Sequence, residues 1–186
     1  MKKNYSIPLS YAHRVWVPEH TYNMNGALIH GHSATISVVV DIENGKHRDI
    51  EDFLQRVPSF VSHTINGRFF IDNADPMFYT LVMSMYESAL LNIGSNERSN
   101  LPVLDPILYR GKPTGAFRVN LSPIKPLERA PVGDVLSSYL IFQFSPSADN
   151  MASWLFGLIS DHSPAGCKIA SVTFSNFGGE SFEVDR

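Results

Sequence analysis

Three histidines carry the clearest chemistry in this chain. His30 and His32 flank a glycine just ahead of Ser33-Ala34-Thr35-Ile36-Ser37-Val38-Val39-Val40, where Ala34, Ile36, Val38 and Val40 alternate with Thr35, Ser37 and Val39. Period-two alternation is the pattern of a half-buried strand, and it puts both imidazoles on one face at the strand's start. His13 lies in an earlier strand-compatible run, Ser6 to Val17. The chain between them is long enough to turn and pair the two runs antiparallel, so that His13 stands across from the pair. Three neutral imidazoles on rigid strands, with no fourth protein ligand evident, suit an open tetrahedral zinc site that keeps one position for water or substrate. The plainer alternative is a pair of hydrogen-bonded histidines at a strand end.

The elements that must position these residues follow from composition and pattern. A chain of 186 residues, 44% hydrophobic and 18% charged, is expected to form one globular domain, residues 1–186. A net charge of -3 with no basic run argues against nucleic acid or a membrane surface as partner. One cysteine, Cys167, rules out a disulfide framework. With neither a signal peptide nor a membrane-spanning apolar run, the expected location is the cytoplasm.

Met1 to Val17 and Ser33 to Ile42 read as a first strand pair, closed by the turn Glu43-Asn44-Gly45-Lys46. Pro18 to Ile29, with His20 and Tyr22, is a polar loop expected to pass over the histidines. Asp49 or Asp52 caps a helix with Phe53, Leu54, Val57, Phe60 and Val61 at helical spacing, and Pro58 predicts a kink or early stop. Phe69-Phe70-Ile71 is a buried apolar stretch. Asp75-Pro76 opens a second helix, whose stripe runs through Met77, Phe78, Leu81, Val82, Met85, Ala89 and Leu90. From Gly94 to Pro131 lie six of the twelve prolines, so only Gly115 to Leu121 reads as a short strand there. Val135 to Phe144 adds a strand, Asp149 caps a helix to Ser160, and Cys167 to Phe174 pairs with Ser181 to Val184 around Gly178-Gly179.

Tyr11-Ala12-His13-Arg14-Val15 followed by His30-Gly31-His32-Ser33 resembles the amino-terminal signature of the 6-pyruvoyltetrahydropterin synthase family, which includes the 6-carboxytetrahydropterin synthases. Two further stretches are similar in the same order. Asp49-Ile50-Glu51-Asp52-Phe53-Leu54 matches the opening of the family's first helix, and Pro146-Ser147-Ala148-Asp149-Asn150-Met151-Ala152 its Pro-Thr-Ala-Glu-Asn helix start. The resemblance implies an α+β tunnelling fold, a four-stranded antiparallel sheet backed by helices, that oligomerises into a barrel as a trimer or hexamer. It implies Zn2+ held by His13, His30 and His32, and a pterin-like small-molecule substrate. Residues 94–135 are a proline-rich insertion relative to the family pattern.

The chain departs from that pattern where the chemistry is done. The family's proton-transferring cysteine falls in the loop before the histidines, where Met24 stands, and a thioether carries no proton. Its aspartate-histidine pair aligns with Asn66-Gly67, or alternatively with Ser62-His63. Its pterin-anchoring glutamate aligns with Ser175, which offers one oxygen and no charge; Glu180 or Glu183 substitutes if the Gly178-Gly179 turn brings it inward. Two readings follow. One is a zinc enzyme with an altered reaction, in which His20, Tyr22, His63 or Asp72 moves protons and Ser175, Glu180 and Met24 line the substrate site. The other is a non-catalytic, metal-stabilised oligomeric paralogue or ligand-binding module. Cys167 reads as a small core residue, His162 as a helix C-terminal residue, and His47 as part of a solvated turn.

Overall fold

The computed structural model describes residues 1–16, 28–43, 47–93 and 104–185. In chain order its elements are β1 (Lys2–His13), β2 (His30–Ile42), α1 (His47–Phe60) with a π turn (Val61–Ile65), and β3 (Arg68–Asp72). Then come α2 (Pro76–Phe78), a π turn (Tyr79–Met83), α3 (Ser84–Asn92), β4 (Leu104–Tyr109), β5 (Lys112–Val119) and a 3-10 stretch (Ser122–Leu127). The last are α4 (Pro131–Ser137), β6 (Tyr139–Phe142), α5 (Ala148–Asp161), β7 (Cys167–Asn176) and β8 (Ser181–Asp185). The class is mixed α and β as expected, but the sheet has eight strands in the order β4-β5-β6-β3-β1-β2-β7-β8, not four. Contacts divide the chain into two compact units, residues 1–12, 30–68 and 146–186, and residues 13–29 and 69–145.

In the first unit, β2 pairs antiparallel with β7, Ala34 opposite Asn176 and Ile42 opposite Cys167, and β7 pairs antiparallel with β8. Alternation in β2 buries Ala34, Ile36, Val38, Val40 and Ile42, as the sequence predicts. The pairing slips once: Val39 faces Ser171 while Val40 faces Ile169, which leaves Ala170 as the extra residue of a bulge. Past it, the buried positions of β7 move from Cys167 and Ile169 to Val172, Phe174 and Asn176. From α1 come the buried Ile50, Phe53, Leu54 and Val57; from α5, which packs on β7 and β8, come Met151, Leu155 and Ile159. Each such side chain contributes about 1.5–3 kcal/mol by leaving water. Helix α1 does not stop at Pro58. It runs to Phe60 and leaves through the π turn, with the Asn66 N–H bonded to the Val61 carbonyl five residues back. The N-cap of α5 is Ser147, not Asp149; Asp149 sits in the first turn and accepts a hydrogen bond from the Ser147 hydroxyl.

The second unit holds β3 to β6: strand was expected within β5 and at β6, though Val135 to Ser137 belong to α4 and the strand is only Tyr139–Phe142, while β3 read as a buried apolar stretch and β4 as loop. β3 pairs parallel with β6, Phe69 opposite Tyr139 through Asp72 opposite Phe142, and β5 pairs antiparallel with both β6 and β4. A two-residue turn, Arg110 (φ 51°) and Gly111 (φ 80°), closes the β4–β5 hairpin, the left-handed pair a tight hairpin requires. Ile71, Phe78, Val82, Tyr86, Val119, Ile124, Leu136 and Ile141 form the core, so the apolar stripe expected after Asp75-Pro76 does face inward. Asp75 is the N-cap of α2, its carboxylate accepting from the Met77 N–H at 2.8 Å with Pro76 in the first turn. Among the described residues no helix is long and apolar enough to cross a membrane.

Candidate functional site

The histidines are placed by strand parity. In β1 the buried residues are Ile7, Leu9, Tyr11 and His13; in β2, His30 and His32 continue the face of Ala34 and Ile36. One ring nitrogen from each of His13, His30 and His32 lies within 4.8 Å of the other two. Three converging imidazole nitrogens are a donor set that suits zinc. The His30 and His32 rings meet edge to face at 4.7 Å between centroids. Burial, and then the neighbouring His30, push the His32 imidazole below its ordinary pKa, and the Glu180 carboxylate pulls the other way. A low value keeps the imidazole neutral, the form a metal needs.

A second layer fixes His32. The Tyr11 ring stacks on it, 5.5 Å between centroids and 30° between planes, and the Tyr11 hydroxyl donates to Asn176 Oδ1 at 2.8 Å. Burial raises the Tyr11 pKa to about 12, so the phenol stays a donor. Arg14, next to His13, does different work. Its guanidinium pairs with Asp75 and lies 5.2 Å from the Trp16 ring, tying the segment after β1 to the start of α2. Asp75 is wholly buried, and Arg14 is its counter-ion. Asp72, close by, accepts from the Ala74 N–H at 2.9 Å; burial raises its pKa, and the Asp75 charge adds to the rise.

His20, Tyr22 and Met24 lie outside the described residues. His63 sits on the π turn after α1, exposed, with Nδ1 bonded to the Ser59 carbonyl at 2.8 Å. Asn66 is committed to the backbone: Oδ1 accepts from the Ser10 N–H at 2.8 Å, and Gly67 (φ 73°) returns its N–H to the Ser10 carbonyl at 2.7 Å. Ser175 stands opposite Thr35, on the face of β7 away from the histidines, with Oγ 2.7 Å from Ser181 Oγ. The turn through Gly178 (φ 151°) and Gly179 (φ 111°) bonds the Asn176 N–H to the Glu180 carbonyl at 2.8 Å, and the Glu180 charge acts on both Tyr11 and His32. Glu183 lies opposite Thr173 on exposed β8. Cys167 is buried, which raises its thiol pKa, and His162 ends α5 with Nδ1 2.7 Å from the Leu158 carbonyl. Sequence reasoning missed Asn176, although its parity with Val172 and Phe174 was a usable signal.

The sequence profile described as 6-pyruvoyl tetrahydropterin synthase matches residues 4–185. The chain belongs to the 6-pyruvoyl tetrahydropterin synthase family. Its fold is similar to an uncharacterized protein of Wolinella succinogenes, at TM-score 0.75 and 23% identity over 100% of this chain and 98% of that one. Two solved members carrying the family's name are a catalytic-residue mutant of the Plasmodium vivax enzyme and the Caenorhabditis elegans enzyme. The first has TM-score 0.44 and 10% identity over 100% and 98% of the two chains. The second has TM-score 0.46 and 10% identity over 100% and 95%. No curated protein sequence matches this chain.

Proposed function

We propose that this family member binds zinc through His13, His30 and His32 and acts on a pterin-like or related small heterocycle by metal-assisted proton transfer or elimination. The observation that carries the reading is the approach of three imidazole nitrogens to within 4.8 Å on a chain matched by the family from 4 to 185. Bound zinc supplies a Lewis acid that polarises a substrate carbonyl or hydroxyl. The chain's own groups do the rest. Tyr11 holds the His32 ring plane, and Glu180, projected from the Gly178-Gly179 turn, accepts from substrate N–H groups in place of the charge that Ser175 lacks. His20, Tyr22 or His63 moves the proton, Met24 lining the site, so the reaction differs from the family's standard one. The proposed assembly is a homo-oligomer, and the proposed compartment the cytoplasm.

A second reading, a non-catalytic metal-stabilised paralogue, is favoured by Asn66, whose amide is bound to the Ser10 backbone where the family pattern places an acid. Metal analysis and titration with biopterin separate the two. His13→Ala, His30→Ala and His32→Ala are each expected to lose stoichiometric zinc, and His47→Ala to keep it. Equal zinc in all four variants removes the metal site. Zinc without biopterin binding leaves the scaffold reading.

A further inference from the structure

His13 is the last residue of β1, and strand pairing loosens there: the next N–H, that of Arg14, reaches the Phe70 carbonyl at 3.4 Å, long for a hydrogen bond. Side chains grip the chain instead. The Arg14 guanidinium pairs with Asp75 and lies 5.2 Å from the Trp16 ring, and the Trp16 N–H donates to Ser145 Oγ at 3.1 Å. Asp75 is a fixed anchor. Its N–H bonds the Asp72 carbonyl at 3.1 Å, its carbonyl accepts the Phe78 N–H at 2.8 Å, and Oδ1, the atom that takes Arg14, also takes the Met77 N–H at 2.8 Å. Asp75 is wholly buried and Arg14 nearly so, so neither can leave without stranding the other's charge. A buried ion pair is seldom a better source of stability than apolar side chains of the same volume. What it supplies is direction, because a planar guanidinium meets a carboxylate in few orientations. Fixing Arg14 fixes the peptide that joins it to His13.

We propose that Asp75 is a positioning residue for the metal centre: through Arg14 it holds the end of β1 where the His13 imidazole converges with those of His30 and His32, and so strengthens zinc binding from outside the ligand set. The proposal rests on the zinc reading of the preceding section and gives Asp75 no contact with metal or substrate. Groups that orient a ligand without touching the metal govern affinity, since a ligand that wanders must be ordered again when the metal arrives. Here the orienting group acts on the backbone of its ligand rather than on the ring.

Asp75→Asn tests it. The variant keeps an oxygen for the Met77 N–H and the side-chain shape but removes the charge that holds Arg14. Gly133→Ala, in which the new Cβ presses on the Glu128 and Leu127 carbonyls, strains the same unit without altering either partner of the pair, and so shows what lost stability alone does. In folded protein, zinc affinity measured against a chromophoric chelator is expected to fall about ten- to a hundredfold in Asp75→Asn and to hold in Gly133→Ala. The visible bands of the cobalt-loaded protein are expected to change in the first and to match the parent in the second. Parental zinc affinity in Asp75→Asn, parental bands there, or an equal loss in Gly133→Ala overturns the proposal and leaves the proposed function intact, whereas failure of the unmutated protein to bind zinc overturns both. Should Asp75→Asn not fold, Arg14→Lys decides. It keeps a counter-charge for Asp75 but not the planar fork, so zinc affinity is expected to fall severalfold, and unchanged affinity overturns the proposal.

Discussion

Asp72 is a carboxyl that folding makes harder to ionise. Burial raises its pKa above the ordinary 3.8, and the charge of Asp75 works the same way against the Ala74 hydrogen bond. The folded chain therefore holds this proton more tightly than the unfolded chain. The stability it contributes is fully present below about pH 3.8 and is lost as pH rises through the folded value. Asp72→Asn keeps an oxygen for Ala74 and removes the titration. In metal-free protein the melting temperature of the variant relative to the parent is expected to climb between pH 3.5 and 7, and a difference that shrinks with rising pH would contradict this. At the same scale the histidines were legible because residue type and spacing carry the signal: His-Gly-His at a strand start shares a face whatever surrounds it. Asp75 was legible as a cap, but its partnership with Arg14, 61 positions away, was not, since only tertiary structure brings the two together.

Elements with a clean period were also legible. β2 and the helices around Asp49 and after Asp75 announce themselves by alternation and by apolar stripes, although Asp49 and Asp52 lie inside α1, which begins at His47, and neither caps it. β4 does not announce itself, because Pro106 carries the composition of a loop while lying in a paired strand, and of β5 only the part from Gly115 onward reads as strand, Pro113 masking its start. The tolerance has a local cause at Pro106, since β4 is the outermost strand and a missing N–H costs little on an open side. α4 depends on a close approach no periodicity reveals. A Cβ on Gly133 would lie 2.3 Å from the Glu128 carbonyl oxygen and 2.5 Å from that of Leu127. Both obstacles are backbone, so neither can rotate aside. Gly133→Ala is expected to destabilise the protein by about 1–3 kcal/mol. The check is chemical denaturation with an unchanged m-value, and an unchanged midpoint would refute the packing argument.

For the molecule as a whole, the family was legible from three short motifs, yet the full eight-stranded sheet was not, because those motifs all lie in segments of the first unit or at its boundary. The proposed oligomer is a property of this scale. β8 is a five-residue terminal strand with its side chains largely in solvent, an end that a neighbouring subunit can cover. Sedimentation is expected to give three or six times the 20.8 kDa chain mass, and a monomer at micromolar concentration would contradict it. Comparison with relatives, finally, inherits a difficulty from Ala170. In an alignment a single-residue gap there is a trivial event, but on the sheet it reverses which of Ser175 and Asn176 looks toward the histidines. Two homologues with identical letters in those columns, one with the bulge and one without, would present opposite chemistry to the same ligand. Ligand preference in such a lineage can turn over by insertion or deletion alone, with every residue at the site conserved.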